Sequence, residues 1–240
     1  MAGPYKRDDS VSFTLGAFAT LELLQARPEA VRRVYLHSRF DDKAGIGERC
    51  RRLGIPTVRA DKPFARLSPR ENCYVIGEFA KYGQELEPYR PHLVLVNPSD
   101  QGNLGTIARI AAGFGIASLG IVTPAADLFH PKTVRASMGA VFRIRCELFS
   151  SFEQYRVKYA RHRLYPFLLN ADRMLTCETC PQEELFTLVF GSEAAGLEED
   201  YFSRVGTGFR IPQSELVDSL NLAVAAGIGA YVFARKNGLI

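Results

Sequence analysis

Three separated stretches of the sequence hold the residue types that build binding and catalytic sites. The first, residues 100–116, follows an apolar run and places Arg109 among Ile, Ala, Gly and Phe residues. Such an arginine either forms a structural ion pair or binds a phosphate or carboxylate. On a helix it shares a face with Gly105 and Gly113, and this spacing predicts an open groove through which the guanidinium can reach.

The second stretch, residues 188–197, has a glycine turn after an apolar run. Ser192 follows Gly191 directly and Gly196 lies too far along for the G-x-S-x-G pattern of a nucleophile elbow, so a serine hydrolase is disfavoured. A glycine turn lets the backbone approach a ligand closely. Glu193 in this turn could accept hydrogen bonds from a ligand or orient the arginine; a plain strand-to-helix turn is the alternative.

The third stretch, residues 211–236, predicts a helix that is apolar around most of its circumference. Asp218 or Ser219 is expected to cap it, because short polar side chains accept hydrogen bonds from the first N–H groups of a helix. Ser219 and Asn221 lie where unpaired N–H groups and the positive end of the helix dipole gather. They either cap the helix or line a site.

Other well-known motifs are missing from the sequence. It has no G-x-G-x-x-G and no G-x-x-x-x-G-K-[ST], which disfavours an ordinary dinucleotide-binding or P-loop protein. Cys177 and Cys180 form one C-x-x-C without a second pair, and the 4 histidines are scattered. The sequence therefore predicts no metal site.

Composition and charge describe an ordinary globular protein. The chain has 240 residues, 47% of them hydrophobic and 23% charged, with a net charge of +4 that is compatible with a polyanionic partner. The first residues are polar and lack the apolar core of a signal peptide. The longest apolar stretch, 222–234, is shorter than the ~20 residues that span a bilayer. We therefore expect a cytoplasmic protein that does not enter a membrane.

The first 88 residues alternate helical and strand-like patterns, as in a small α/β unit. The patterns predict helices at 14–25 and 45–53 and strands at 31–37 and 74–79. Basic residues cluster between these elements and form either a solvated surface or one that contacts phosphates: Arg32, Arg33, Arg39, Lys43, Arg49, Arg51 and Arg52. Residues 85–91, with two prolines, are the predicted linker.

After the linker the pattern becomes a regular alternation of strands and helices. Continuous apolar strands joined by helices predict an α/β fold with a mainly parallel sheet covered on both faces. The predicted strands are 93–96, 118–122, 141–145, 164–169, 185–190 and 208–211. The predicted helices are 105–114, 131–137, 151–161 and 219–236.

Together and in this order, the stretches resemble one family. Asn103-Leu104-Gly105 followed by Arg109, then FGSEAAGL at 190–197, then I-P…S-L-N-x-x-V-A-A within 211–226, are similar to the motifs of the SpoU/TrmH family of RNA methyltransferases in the SPOUT superfamily. VRASMGAVFRI at 134–144 also resembles that family. The likeness runs from about Pro91 to the last residue. The N-terminal part resembles the family's substrate-binding domain, which is related to small ribosomal RNA-binding proteins.

The resemblance implies two domains and an activity. Residues 1–88 would form an RNA substrate-binding domain and residues 89–240 a methyltransferase domain with a trefoil knot, a rare exception among protein chains. Members transfer a methyl group from S-adenosylmethionine to rRNA or tRNA, most often to a ribose 2′-hydroxyl, and are homodimers. Two alternatives stay open: an RNA-binding protein of the same knotted fold without catalysis, and an enzyme that methylates an RNA base.

The resemblance also assigns roles to individual residues. Arg109 matches the motif arginine that activates the ribose hydroxyl, with Asn103 supporting the same site. Glu193 matches the second-motif glutamate near the reactive end, and Ser219 and Asn221 match the third-motif pair beside the cofactor. The expected S-adenosylmethionine site consists of Leu169, Asn170, Gly191, Ile211, Leu220 and Asn221.

Overall fold

Two β-sheets organise the chain, whose computed structural model describes residues 4–68 and 72–240. The strands of the first sheet are β1 (Val11–Leu15), β2 (Val31–Leu36), β3 (Thr57–Arg59) and β4 (Val75–Ala80). They lie in the order β1-β4-β2-β3; β4 is antiparallel to both of its neighbours, and β2 and β3 are parallel. The helices of this part are α1 (Ala17–Ala26), α2 (Ile46–Arg52) and α3 (Lys62–Leu67).

The second sheet is entirely parallel. Its strands are β5 (His92–Val96), β6 (Ser118–Val122), β7 (Arg145–Phe149), β8 (Arg163–Pro166) and β9 (Phe186–Phe190). They lie in the order β7-β6-β5-β9-β8, with Leu93 of β5 opposite Leu119 on one side and Leu188 on the other. The helices are α4 (Gln101–Gly113), α5 (Pro131–Ala136), α6 (Phe152–Lys158), α7 (Glu199–Val205) and α8 (Leu222–Lys236). Every residue of β6 and β9 is buried, so the prediction of a parallel sheet covered on both faces is confirmed.

The first part of the chain contains elements that its pattern did not predict. The helix expected from residue 14 begins at Ala17, because residues 11–15 form β1 and Gly16, with a φ of 101°, turns the chain between the two. The elements β3 and α3 were also missed. Both are short, three and six residues, and such lengths give little periodicity to detect.

Several predictions in the second part were wrong in detail. Helix α4 begins at Gln101 rather than at residue 105, strand β8 ends at Pro166 rather than at residue 169, helix α6 ends at Lys158 rather than at residue 161, and α7 was not predicted. Residues 140–142 form a single 3₁₀ turn and the strand begins only at Arg145, because an apolar run buried against the core does not by itself distinguish a strand from a packed turn. Residues 208–211 make only isolated bridges, Phe167 to Phe209 and Met174 to Arg210. The last helix begins at Leu222 rather than at residue 219.

The two sheets share one core. Leu23 of α1 and Phe79 of β4 belong to the same buried cluster as the apolar residues of β5 and β6. The predicted linker has no regular secondary structure, yet Leu86 in it is only 2% exposed. Its neighbour Glu87 donates its N–H to Ser118 Oγ at 3.2 Å. The linker is therefore fixed against the second sheet.

A pair of buried histidines lies at the amino-terminal edge of the parallel sheet. The rings of His92 and His162 have centroids 4.1 Å apart. His92 Nδ1 lies 2.9 Å from Tyr155 Oη and its Nε2 lies 2.8 Å from the Glu87 carbonyl oxygen. Burial, with His162 beside it, lowers the pKa of His92 to about 3, and burial also lowers the pKa of His162. Both rings are therefore neutral at neutral pH.

We expect this pair to make the fold sensitive to mild acid. A histidine whose pKa is lower in the folded state gains its proton on unfolding, so stability falls as the pH drops from 6.5 towards 3. The loss approaches about 1.4 kcal/mol per pH unit for each such ring. Urea unfolding between about pH 6.5 and about pH 5, above the range where carboxylates titrate, measures it. The variant His92→Gln should show a shallower pH dependence, and equal slopes would contradict the prediction.

Candidate active site

A cavity of about 860 Å³ opens at the carboxyl ends of β8 and β9. In parallel α/β sheets this edge is where ligands bind. Its walls come mainly from three stretches: residues 167–170 after β8, 190–196 at and after the end of β9, and 209–222 before and at the start of α8. All six residues expected to hold the cofactor lie on this wall, as do Glu193 and Ser219: Leu169, Asn170, Gly191, Ile211, Leu220 and Asn221.

The turn after β9 is built around two glycines. Ser192 and Gly196 exchange backbone hydrogen bonds of 3.2 and 3.0 Å, which close the turn. Gly196 has a φ of 66°, a left-handed conformation that favours glycine. At Gly191 a Cβ atom would lie 2.0 Å from the carbonyl carbon of Gly196. The glycine that sequence reasoning assigned to ligand contact is thus also required for the turn to close on itself.

Glu193, in that turn, is held by hydrogen bonds from the start of α4. Its carboxylate accepts from the N–H and the hydroxyl of Ser99 at 3.0 and 2.8 Å, and from Asn103 Nδ2 at 2.9 Å. Burial opposes ionisation, but the hydrogen bonds from Asn103 and Ser99 outweigh it and lower the pKa of Glu193 to about 2. A fixed negative charge therefore lies on the cavity wall at neutral pH. The glutamate contacts Asn103 rather than Arg109.

Asn221 joins this carboxylate to the start of α8. It is the N-cap residue, and its Oδ1 accepts from the N–H groups of Ala223 and Val224 at 2.9 and 3.4 Å. Its Nδ2 consequently donates to Asn103 Oδ1, at 3.1 Å, and Asn103 donates onward to Glu193. The three predicted residues Asn103, Glu193 and Asn221 form one hydrogen-bonded chain with a fixed donor direction.

The prediction that Asp218 or Ser219 caps α8 was wrong. Asn221, which together with Ser219 was expected either to cap the helix or to line a site, is the capping residue. Each of these polar residues can cap a helix, and the apolar residue between Ser219 and Asn221 does not decide which one does. Ser219 is exposed on the cavity wall instead. It remains free to contact a ligand there.

Arg109 lies apart from these residues. It follows Asn103 by six residues on α4, about 9 Å along the helix axis, and is exposed. Within residues 4–68 and 72–240 its guanidinium has no hydrogen-bond or ion-pair partner, so the alternative of a structural ion pair gains no support. The predicted groove at Gly105 is closed by α5, since a Cβ atom there would lie 2.4 Å from the Thr133 carbonyl oxygen.

Two residues of the site were missed by sequence reasoning. Ser99 supplies two of the hydrogen bonds to Glu193. Asp100 is the N-cap of α4, accepting from the Asn103 N–H at 2.8 Å, and this bond lowers the pKa of its carboxyl. A serine and an aspartate directly before a helix are a capping signal, and that signal could have located both.

An apolar groove of about 570 Å³ runs beside the site between α4 and α8. Its wall includes Ile110 of α4 and three residues of α8. These three recur at helical spacing and are 51%, 37% and 48% exposed: Val224, Ile228 and Tyr231. Asn103 and Asn221 line the groove as well, so the groove and the hydrogen-bonded chain are continuous.

Neither a metal site nor a membrane span was found in the part of the chain that the structure describes. No group of three or more His, Cys, Asp or Glu side chains within residues 4–68 and 72–240 could hold a metal ion. No helix in those ranges is long and apolar enough to cross a bilayer. Cys177 is exposed and Cys180 is buried, and both are free thiols.

The fold and the cavity define a class: an α/β protein with a cavity at the carboxyl edge of a parallel sheet, where proteins of this architecture bind ligands. The sequence model of the SpoU rRNA Methylase family matches residues 90–231. The chain belongs to this family.

Relatives and a solved structure extend the match. An uncharacterized tRNA/rRNA methyltransferase of Mycobacterium tuberculosis is 30% identical over 84% of this chain and 77% of its own length. The 23S rRNA (guanosine(2553)-2′-O)-methyltransferase RlmP of Bacillus subtilis is 30% identical over 62% of this chain. The chain spans 59% of the length of RlmP and 53% of another curated relative.

The crystal structure of an AdoMet-bound rRNA methyltransferase from Sinorhizobium meliloti has a TM-score of 0.79 with 24% identity. The structural match covers 94% of this chain and 87% of the Sinorhizobium meliloti chain. The two proteins therefore share a fold.

Proposed function

We propose that this protein transfers a methyl group from S-adenosylmethionine to a ribose 2′-hydroxyl of rRNA or tRNA. The observation that carries the proposal is the hydrogen-bonded chain of Asn221, Asn103 and Glu193 at the wall of the cavity. The names of relatives support it, since RlmP is a ribose 2′-O-methyltransferase of rRNA. An RNA-binding protein without catalysis would not need the polar residues of the family motifs, yet all of these residues are present.

The cavity residues fit S-adenosylmethionine. A volume of about 860 Å³ lies in the range of small-molecule sites. Leu169, Ile211 and Leu220 offer apolar contact to an adenosine, and the ionised Glu193 complements a sulfonium charge. Arg210, also on the wall, has a buried Nε–H without a partner among the described residues, so a donor is available for the carboxylate of a ligand. When bound, the compound supplies a methyl group on a sulfur that is already a good leaving group.

The protein itself must align the ribose 2′-hydroxyl with the methyl group and activate it. The chain from Asn221 to Glu193 holds the residues beside the cavity in one arrangement. A guanidinium stays protonated at neutral pH, so Arg109 does not accept the hydroxyl proton. We infer that Arg109 positions an RNA phosphate, that this phosphate takes the proton, and that the guanidinium stabilises the developing charge.

A methyl-transfer assay tests the proposed function. Purified protein is incubated with tritiated S-adenosylmethionine and unmodified total RNA, and the nucleosides are then analysed. A labelled 2′-O-methyl nucleoside is the expected product. Label on a base would identify the base-methylating alternative. Calorimetric titration that detects no binding of S-adenosylmethionine would identify the RNA-binding alternative, and binding without any transfer to RNA would overturn the proposal.

We further infer two domains, residues 1–88 for RNA docking and 89–240 for catalysis, in a cytoplasmic protein. The first sheet ends at Ala80, and exposed basic residues such as Arg32, Arg39 and Arg52 surround it, as a phosphate-contacting surface requires. A ribosomal-protein-like first domain and a trefoil knot in the second are part of the same proposal. The match to the SpoU rRNA Methylase family over residues 90–231 supports the knot.

We also infer that the groove between α4 and α8 is covered by a second copy of the chain. Its exposed apolar face is continuous with the site through Asn103 and Asn221, so a homodimer would place the active site beside the interface. The variant Ile228→Asp should raise the dimer dissociation constant at least about tenfold, because an unpaired carboxylate is costly to bury.

Sedimentation velocity over a range of protein concentrations measures this change. Val157→Asp is the matched control, since Val157 on α6 is 69% exposed and lies outside the groove. A wild-type protein that stays monomeric, or an Ile228→Asp variant that dimerises as well as the control, would contradict the inference.

A further inference from the structure

The N-terminal segment, residues 4–10, is held between the two sheets by a network of hydrogen bonds and one ion pair. Lys81 Nζ, just beyond β4, lies 2.7 Å from Tyr5 Oη and donates to the Arg7 carbonyl oxygen at 2.6 Å. Tyr5 also donates to the carboxylate of Asp127, which lies 3.5 Å from Lys81 Nζ. Burial and the neighbouring Asp127 raise the pKa of Tyr5, so its phenol remains a hydrogen-bond donor. The segment thus has a defined position.

A cleft of about 690 Å³ lies between this segment and the second sheet. Its other walls are residues 97–101, 124–127 and the Ser192–Ala194 turn region, together with His130. Ser192 and Ala194 also line the cavity of the candidate active site. The glycine turn that carries Glu193 is therefore a shared wall, and a molecule in the cleft would lie next to the cavity of the candidate active site.

Several polar groups on the cleft wall have hydrogen-bonding capacity to spare. Arg7 uses one N–H, from Nη2 to the Ala125 carbonyl oxygen at 3.0 Å, out of the five that a guanidinium offers. His130 Nδ1 accepts the Lys132 N–H at 3.1 Å, which places the proton of the neutral ring on Nε2. The side-chain amide of Gln101 has no partner within residues 4–68 and 72–240.

An acceptor accompanies these donors. Asn97 donates from Nδ2 to the Pro124 carbonyl oxygen at 3.2 Å, so its Oδ1 is an acceptor on the same wall. Aromatic rings are present too, because Tyr5 and His130 both lie on the cleft wall, where their rings meet edge to face with centroids 5.0 Å apart. Proteins recognise unstacked RNA bases with this combination: donors and acceptors for the base edge, and an aromatic or guanidinium plane for the face.

We propose that the cleft lined by Arg7, Gln101 and His130 binds a base of the substrate RNA within one nucleotide of the ribose that is methylated. The proposal rests on the proposed function. It adds a specificity element supplied by the N-terminal segment, which lies outside the three motifs of the methyltransferase part. Recognition of a base there would position the neighbouring ribose at the turn that carries Glu193.

The first test compares substitutions at two neighbouring residues, each of which removes one positive charge. Arg7→Ala should lower kcat/KM for RNA about tenfold or more, in line with the loss of a hydrogen bond from a charged group. The fold should survive, because the Lys81 contact is made by the backbone carbonyl. Lys6→Ala removes the same charge from an exposed residue that is not on the cleft wall, and should change kcat/KM less than about twofold.

Calorimetry should find unchanged affinity for S-adenosylmethionine in both variants. Equal losses in Arg7→Ala and Lys6→Ala would show a general charge effect and overturn the proposal. An Arg7→Ala variant with wild-type kcat/KM would overturn it as well.

The second test does not depend on turnover. RNA from cells grown with 4-thiouridine is crosslinked to the protein with long-wavelength light, and the crosslinked peptides are identified by mass spectrometry. Peptides that contain Arg7 or Gln101 are expected, with lower yield in Arg7→Ala. Methyl transfer with crosslinks confined to other surfaces would overturn the proposal that the cleft binds a base and would leave the proposed function intact. Crosslinks at the cleft without methyl transfer would overturn the proposed function and, with it, the placement beside a methylated ribose, and would leave the cleft as an RNA-binding site only.

Discussion

Replacing Arg109 with lysine should lower the rate of methyl transfer about a hundredfold or more while RNA binding stays within several-fold. Lysine keeps the positive charge but loses the planar fork that holds a phosphate at two points. Removing one preorganised donor from a developing charge typically costs about 10²–10³ in rate. Arg109 is exposed and lacks an internal partner among the described residues, so the substitution should leave the fold unchanged.

Single-turnover transfer from tritiated S-adenosylmethionine measures the rate, and filter binding measures the affinity for RNA. Arg90→Lys is the matched control, because Arg90 is an exposed arginine that precedes β5 at the opposite edge of the sheet. Undiminished turnover in Arg109→Lys would reject the catalytic role, and a parallel loss of RNA affinity would reduce the role to docking.

A mixed dimer shows which cavity Arg109 serves. Arg109 is not on the cavity wall of its own chain, and it lies on the helix that borders the proposed dimer groove. We therefore expect it to act on the cavity of the partner copy. A dimer of one Arg109→Lys chain and one Gly191→Ala chain, purified through two different tags, would then keep one intact site and about half of the wild-type activity. An inactive mixed dimer would place the arginine and its cavity in the same chain.

The substitution Gly191→Ala should weaken the binding of S-adenosylmethionine about ten- to a hundredfold. The new methyl group would overlap the backbone at Gly196, 2.0 Å away, and overpacking of this kind typically costs about 1–3 kcal/mol. Backbone cannot move aside as a flexible side chain can, so the turn must open. Because the same turn carries Glu193, its hydrogen bonds to Ser99 and Asn103 would be lost along with the cavity wall.

Calorimetric titration measures the affinity, and thermal melting shows whether the variant is folded. Gly113→Ala is the control: Gly113 is a helical glycine of α4 with no atom within 4 Å of an added Cβ. That variant should bind S-adenosylmethionine as the wild type does. A folded Gly191→Ala protein with full affinity would show that the cavity is not the cofactor site.

The parallel sheet followed from the pattern of the sequence, and the resemblance to the family pointed to residues that line the cavity. Buried parallel strands read as nearly continuous apolar runs, and β6 and β9 do, apart from Ser118 and Thr187. The family motifs lie in loops that follow strands, and the carboxyl ends of parallel strands meet at one edge. Residues as distant along the chain as Leu169 and Leu220 therefore line a single cavity.

Other features depend on contacts that no local pattern encodes. The sequence around Gly105 predicts an open groove, but α5 fills the space beside this glycine. Only the packing of α4 against α5 determines whether the groove is open. Asn221, the capping residue, makes a second hydrogen bond to Asn103, 118 residues away, and no local pattern predicts a contact over that separation. The isolation of Arg109 likewise depends on what lies opposite it in space. The roles of these residues in catalysis stay predictions.

Under the proposed function, the core shared by the two sheets bears on how a target nucleotide would be selected. Leu23 and Phe79 pack among the apolar residues of the parallel sheet, and the connecting segment is itself buried at Leu86. Because the two sheets share a core, they have little freedom to move relative to each other. An RNA bound to the first sheet would therefore reach the methyl donor at a constant distance from its binding site. A nucleotide at any other distance from that binding site would not be methylated, whatever its sequence.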